Sequence, residues 1–381
     1  MTPQACSAQG LYVHVPFCAS RCIYCDFYST TRGADVRRDY VRALERELQR
    51  RSAEAEGRAL STVYLGGGTP SQLAEGELQR IFEAIHLYYK VADDAEITVE
   101  ANPDDVTDDW VRAVKSLGVN RVSLGVQTFD DDLLRLIHRR HTALQARRAV
   151  ERIHDTLTHN ISIDLIYGLP TAGCDAMSLW GSDLDKAFSL PVTHLSAYAL
   201  SYEEGTQLWR LRSAGQVQET ADDVSLAMYH MLLQRTHEEG FEHYEISNFS
   251  RPGCRSRHNS SYWQGAPYIG AGPGAHSYDG RCLRRQNSPD LARYIAASPD
   301  VPHVFEHLTP TNLYDEFVMT RLRTCEGIPL DKLTATQRDY LLRQARPHVE
   351  RGTLRLTSDR LVLTRDGLFL SDGIMADLMG E

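Results

Sequence analysis

Three cysteines carry the most specific chemistry in this chain. Cys18, Cys22 and Cys25 lie in the segment Tyr12-Val13-His14-Val15-Pro16-Phe17-Cys18-Ala19-Ser20-Arg21-Cys22-Ile23-Tyr24-Cys25-Asp26-Phe27, a C-x3-C-x2-C spacing. Three thiolates can hold three irons of a cubane cluster, which leaves the fourth iron open to a small molecule. Structural zinc takes four ligands and would have to borrow His14 or Asp26. Three unrelated thiols are the plainest alternative. The other five of the eight cysteines (Cys6, Cys174, Cys254, Cys282, Cys325) are scattered and read as ordinary thiols. Met1–Gly10 has neither the basic region nor the apolar core of a secretory leader. The expected compartment is therefore the reducing cytoplasm, where clustered cysteines indicate metal binding before disulfides.

A second set of residues could serve a bound molecule. Gly66-Gly67-Gly68-Thr69-Pro70 would let backbone approach a ligand closely, or is simply a tight turn. Glu100 ends an apolar run, where a carboxylate is costly to bury unless paired or ligand-bound. Gln127, Arg139 and Asp164 are polar at comparable places. Further on, Arg257-His258-Asn259-Ser260-Ser261-Tyr262-Trp263 puts one histidine beside two aromatics. A neutral imidazole can ligate heme iron and flat aromatics can cover a porphyrin, although such a histidine is more often simply hydrogen-bonded.

The elements that must position these residues alternate. Strand-like runs are expected at Leu11–Val15, Thr62–Leu65, Glu96–Glu100, Arg121–Gly125, Ile161–Ile166 and His194–Leu200. Helical patterns fall between them: Val36–Arg51, Glu77–Tyr89, Asp108–Leu117, Asp131–Ile137, Leu144–Thr156 and Met177–Phe188. Such alternation reads as a parallel sheet, whose ligands sit at the carboxyl ends of the strands. The polar and glycine-rich segments fall there. About six units fit between residues 11 and 200, too few for an eight-fold barrel but suited to a partial barrel or a doubly wound sheet. After Val217 come a long helix (Ala221–Glu238), a run at Tyr244–Phe249 and a Gly-, Pro- and aromatic-rich loop from Arg251 to Gly280. Beyond Thr309, helices and a hairpin suggest a small winged-helix-like module, read as a packing or lid element.

Composition narrows the class. The 381 residues allow about two or three domains. With 42% hydrophobic and 24% charged residues the chain is ordinary globular protein, neither disordered nor collagen-like. No apolar run approaches the roughly 20 residues that cross a bilayer. A net charge of −10 argues against a broad nucleic-acid surface, so no nucleic-acid partner is expected.

The cysteine spacing, with Tyr24 before the last cysteine, resembles the signature of the radical S-adenosylmethionine (SAM) superfamily. Tyr12-Val13-His14-Val15-Pro16-Phe17 narrows the resemblance to the coproporphyrinogen III oxidase-like branch, and the likeness covers nearly the whole chain. The resemblance implies an α/β fold: a partial (β/α)6 barrel at residues 1–217, an extension at 218–308 and a winged-helix-like α+β module at 309–381. It implies a [4Fe-4S] cluster on Cys18, Cys22 and Cys25, with SAM chelating the open iron. The implied cofactor contacts are Tyr12, Tyr24, Gly67, Gly68, Thr69, Glu100, Gln127, Arg139 and Asp164. Of these, Gln127, Arg139 and Asp164, with Tyr24, Gly68 and Thr69, match contacts to a second SAM in the oxidases. The family usually reads Gly-Arg-x-His where this chain has His138-Arg139-Arg140-His141. The oxidases carry a further cysteine where this chain has Phe27, and a longer N-terminal extension, whereas the first strand here begins by about Leu11. Both departures favour the heme chaperones of the branch over the oxidases. H-N-x-x-Y-W resembles the heme-associated motif of those chaperones, which makes His258 the implied heme ligand, with His14, His141, His276 and Cys254 as alternatives. Heme, an acceptor protein of the respiratory or membrane-associated kind, and a homodimer are the implied partners.

Overall fold

A computed structural model of the chain describes residues 9–171, 173 and 175–380. Cys6 and Cys174 lie outside them. Six strands, β1 (Gln9–Val15), β2 (Leu60–Gly67), β3 (Val91–Ala101), β4 (Arg121–Gln127), β5 (Ile161–Tyr167) and β6 (His194–Ala199), run parallel in sequence order. They are joined by α1 (Ala34–Arg51), α2 (Glu75–Tyr88), α3 (Asp108–Ser116), α4 (Asp131–Leu136) with α5 (Ala143–Thr156), and α6 (Ala176–Phe188). Every expected strand and helix of this region is present within a few residues.

Each strand alternates. Leu11, Val13, Val63, Leu65, Ile97, Val99, Val122, Leu124, Ile163 and Leu165 join the apolar core under the helices. The opposite face carries Tyr12, Tyr64, Glu100, Ser123, Asp164 and Ser196, which line a cavity. The sheet is thus a partial barrel, apolar outside and polar within.

The sheet is wider than six strands. After α7 (Gln207–Ser213) and α8 (Asp222–Glu238), β7 (Glu242–Glu245) and β8 (Asn248–Ser250) close the β6 edge antiparallel. The segment from Arg251 to Gly280, expected to be a loop, instead contains α9 (Arg257–Trp263), β9 (Tyr268–Ala271) and β10 (His276–Tyr278). β9 adds a seventh parallel strand beside β1, and β10, β11 (Leu283–Asn287) and β12 (His303–His307) continue antiparallel. A buried ion pair fastens this edge. Glu47 of α1 accepts from Arg51, Gly272 N–H, Asn287 and Tyr294, while Arg51 also donates to the Gly270 carbonyl at 2.6 Å. Buried ions so fully bonded fix one arrangement of the chain rather than adding much stability. α10 (Leu291–Ala297) packs on α1 through Tyr294 and Tyr40.

The remaining residues form α11 (Pro310–Leu322), β13 (Ile328–Pro329), α12 (Ala335–Glu350), β14 (Leu354–Leu356), β15 (Arg360–Leu363), α13 (Arg365–Leu368) and α14 (Ser371–Leu378). They enclose a separate small core around Val318, Leu341, Leu361 and Ile374, with a three-stranded antiparallel sheet. The winged-helix-like α+β expectation holds in this form.

Candidate active site and barrel floor

The carboxyl ends of β1–β6 surround a cavity of about 580 Å3. The cysteine loop forms one wall. It is pinned at its base by Cys18 N–H to the Thr30 carbonyl (2.9 Å) and Thr30 N–H to the Pro16 carbonyl (2.7 Å). Midway, Ile23 drops into an apolar cluster with Leu133, Ile137, Ile166 and Leu208. Burial of that one side chain, worth about 2 kcal/mol, leaves the flanking Cys22 and Cys25 facing the cavity with Cys18. Both His14 ring nitrogens are engaged, by Tyr12 at 3.1 Å and the Tyr28 carbonyl at 2.9 Å, so His14 cannot complete a zinc set. Asp26 is exposed. Among the described residues no group of three His, Cys, Asp or Glu is gathered for a single metal ion.

Packing requires Gly67 and Gly68 to be glycines. A Cβ at Gly68 would meet the Val15–Phe17 backbone at 2.8–2.9 Å, and one at Gly67 the His14 ring at 2.5 Å. Gly68 N–H and Thr69 N–H bond the carbonyls of Val15 and Phe17, which seats this turn directly under the cysteine loop. The Thr69 hydroxyl reaches Cys18 Sγ at 3.5 Å.

Glu100 accepts from Tyr64 Oη (2.7 Å) and Gly67 N–H (3.1 Å). Enclosure pushes its carboxyl up to about 7, against the Tyr64 hydrogen bond, and Asp164 is raised by the same cause. Gln127 ends β4 at φ 71°, where the ladder slips by one residue. His138, standing where the family has glycine, adopts φ 61°, a left-handed conformation that glycine accepts without strain and other residues reach at about 1–2 kcal/mol. Arg139 consequently still turns inward, donating to Asn102 Oδ1 (2.6 Å), the Gly125 carbonyl and Cys22 Sγ (3.5 Å). It lies in the link after α4 rather than in a helix.

Several lining residues escaped sequence reasoning: Tyr64, Asn102, Arg121, Ser196 and Tyr198. Arg121 is 2% exposed, and its Nε has no partner. A buried donor left open toward a cavity fits a site that takes a polar guest.

The lower end of the barrel closes the same cavity, which His258, Asn259 and Tyr262 also line. There α9 is inserted under the strands. The Glu96 carboxylate accepts from the N–H groups of Arg257 and His258, each at 2.9 Å. The His258 ring stacks on Tyr64 with centroids 5.0 Å apart. Its Nδ1 shares a hydrogen bond with Thr62 Oγ1 (2.7 Å) and its Nε2 with Tyr262 Oη (2.9 Å). Burial lowers its pKa to about 3. The ring is neutral, 2% exposed, and has no nitrogen free for iron in this arrangement. Trp263 lies under the Arg323 guanidinium at 4.9 Å, against the C-terminal module. Of the alternative ligands, buried His141 has one nitrogen on the Val126 carbonyl and the other unpaired, His276 is exposed, and Cys254 is half-buried.

Residues 12–173 match the radical SAM superfamily, and residues 308–370 match the HemN C-terminal domain. The heme chaperone HemW of Mycobacterium tuberculosis H37Rv is 37% identical over 97% of this chain and 95% of its own length. This chain belongs to the HemW family. The HemW of Escherichia coli K12 is 32% identical over 98% of both chains. The solved structure of Escherichia coli coproporphyrinogen III oxidase (HemN), a radical SAM enzyme, superposes with a TM-score of 0.84 at 21% identity, covering 97% of this chain and 90% of its own. That likeness establishes the fold. Membership of the HemW family and the radical SAM superfamily implies a [4Fe-4S] cluster and SAM, and the three thiols beside an open polar cavity are a donor set that fits them. No helix among the described residues is long and apolar enough to cross a membrane.

Proposed function

We propose that this protein is a heme chaperone that binds heme, carries a SAM-chelated [4Fe-4S] cluster on Cys18, Cys22 and Cys25, and transfers heme to an acceptor protein. The observation that carries this reading is the end-to-end similarity to heme chaperones, which spans the cysteine loop, the floor helix and the C-terminal module alike. When bound, the cluster and SAM supply one-electron chemistry at the sulfonium. The chain's own residues position and shield them. Glu100 keeps lone pairs beyond its bonds to Tyr64 and Gly67 and can accept from SAM's ribose hydroxyls. Tyr12, Tyr24, Gly67, Gly68 and Thr69 wall the same space, and Gln127, Arg139 and Asp164 flank it as candidate contacts for a second SAM.

The segments 1–217, 218–308 and 309–381 are proposed as barrel, extension and lid-like module. A cytoplasmic location, a homodimer and a respiratory or membrane-associated acceptor complete the reading.

A tetrapyrrole oxidase is the second reading, favoured by the shared barrel. Against it, Phe27 stands 64% exposed at the cavity, where the oxidases resembled carry a cysteine. The test is anaerobic reconstitution with iron and sulfide, then separate titrations with SAM and hemin, and an assay with coproporphyrinogen III. Saturable hemin binding without oxidative decarboxylation supports the chaperone. Protoporphyrinogen IX formed above a no-SAM control overturns it.

A further inference from the structure

Two of the three cysteine sulfurs already meet a side-chain donor of the chain. Arg139 donates from Nη1 to Cys22 Sγ at 3.5 Å, and the Thr69 hydroxyl donates to Cys18 Sγ at 3.5 Å. Neither donor is a neighbour in sequence of the sulfur it meets. Arg139 comes from the link after α4, and Thr69 from the turn that follows β2. Thr69 is buried against the cysteine loop, with its N–H on the Phe17 carbonyl at 2.7 Å.

Arg139 keeps its charge for the sulfur. Its other hydrogen bonds run to neutral oxygens, Asn102 Oδ1 and the Gly125 carbonyl, and it makes no ion pair among the described residues. Its neighbour Arg140 is the reverse case, spent on Asp104 at 2.6 Å and Asp105 at 2.8 Å. Asp105 also accepts from Ser71 Oγ at 2.7 Å and Gln72 Nε2 at 2.6 Å. One carboxylate therefore clamps the residues that follow Thr69 to the residue that follows Arg139. The clamp aims both donors at the cysteine loop from two separate segments.

Reduction of a [4Fe-4S] cluster adds one negative charge to a group that its thiolates already make anionic. A donor on a thiolate stabilises that added charge, and a cationic donor does so more strongly than a neutral one. We propose that Arg139 and Thr69 set the reduction potential of the cluster, raising it through their hydrogen bonds to Cys22 and Cys18, with Arg139 the stronger of the two. An external low-potential reductant supplies the single electron, and no bond is made or broken. This rests on the cluster assignment within the proposed function and adds to it the residues that tune the cluster. The role of Arg139 here is separate from any contact with SAM and operates in SAM-free protein.

An anaerobic redox titration of the reconstituted full chain without SAM, followed by EPR of the reduced cluster, tests it. Iron and sulfide content gives the loading, and each midpoint is read on the loaded fraction. Arg139→Leu should move the midpoint at least tenfold in the one-electron equilibrium toward the oxidised form, about 59 mV more negative. Arg139→Lys, which keeps the charge but not the fork, should fall between Arg139→Leu and wild type. Thr69→Val should shift the midpoint in the same direction by less, and Thr69→Ser should restore it. Arg135→Leu removes the same charge from the exposed face of α4, where Arg135 pairs with Asp132, and should leave the midpoint in place. If Arg139→Leu loads no cluster, Arg139→Lys and Thr69→Val decide on the same readout. Midpoints equal to wild type overturn the proposal, as do equal shifts in Arg139→Leu and Arg135→Leu, since net charge alone would then explain them. If wild type itself loads no cluster, the cluster assignment fails instead.

Discussion

The two ends of the barrel use the same kinds of side chain to opposite ends. At the upper rim, polar groups are left open toward the cavity: three free thiols and a carboxylate with spare lone pairs. At the floor, Glu96 is matched to two helix N–H groups and His258 to Thr62 and Tyr262, while Trp263 Nε1 and the Nε of Arg121, the first residue of β4, keep no partner. Unsatisfied polarity is costly and persists where a ligand will meet it, whereas a saturated network is structural. A histidine beside Tyr and Trp is therefore not a binding site by composition alone. What its nitrogens already hold decides.

Four measurements would sharpen or break this contrast. The largest effect belongs to the rim: Cys18→Ala, Cys22→Ala or Cys25→Ala should each abolish reconstituted [4Fe-4S] absorbance and EPR with little change in melting temperature. Retention of the full cluster by any of them would remove that cysteine from the donor set. At the floor, Glu96→Ala should cost about 1–3 kcal/mol in urea unfolding, because the buried His258 N–H and the part-buried Arg257 N–H lose their acceptor. Its cluster should still form at the native level in the folded fraction; an unchanged midpoint would contradict the saturated-floor account. Third, SAM affinity of the reconstituted protein should rise as pH increases through about 7, where Glu100 loses its proton and becomes a pure acceptor. The same raised value means that ionisation opposes folding, so the Glu100 contribution to stability falls from about pH 4.5 to above 7. Glu100→Gln should flatten the SAM profile, and a variant that keeps the wild-type pH dependence would assign it elsewhere. Smallest, His138→Gly relieves a left-handed residue but adds chain entropy to the unfolded state, so its stability should lie within about 1 kcal/mol of wild type. A loss of several kcal/mol would show that the histidine ring itself is needed.

Much of the site was legible because it is local. The cysteine spacing, the glycine run and the strand ends that carry Glu100, Gln127 and Asp164 all reach the cavity. The strands hold a further signal, and it bears on the residues that spacing alone missed. Thr62-Val63-Tyr64-Leu65, Glu96-Ile97-Thr98-Val99-Glu100, Arg121-Val122-Ser123-Leu124 and Ser162-Ile163-Asp164-Leu165 all alternate polar with apolar. In a parallel sheet covered by helices, that period marks a polar inner face. Tyr64 and Arg121 fall on its polar phase, with Glu100 and Asp164.

By itself the sequence determined the six βα units, the helices and hairpin of the C-terminal module and the gathering of three cysteines in one loop, because periodicity and short-range spacing are properties of neighbouring residues. It could not determine that the Arg251–Gly280 segment builds a strand and a floor. β9 is four residues long and exists through its pairing with β1, about 250 residues away, and through the Glu47–Arg51 pair on α1. Nor could it say that His258 is saturated, since Thr62 and Glu96 come from other strands. Such long-range contacts are set by packing, so only the tertiary structure decided which polar groups remain free to bind.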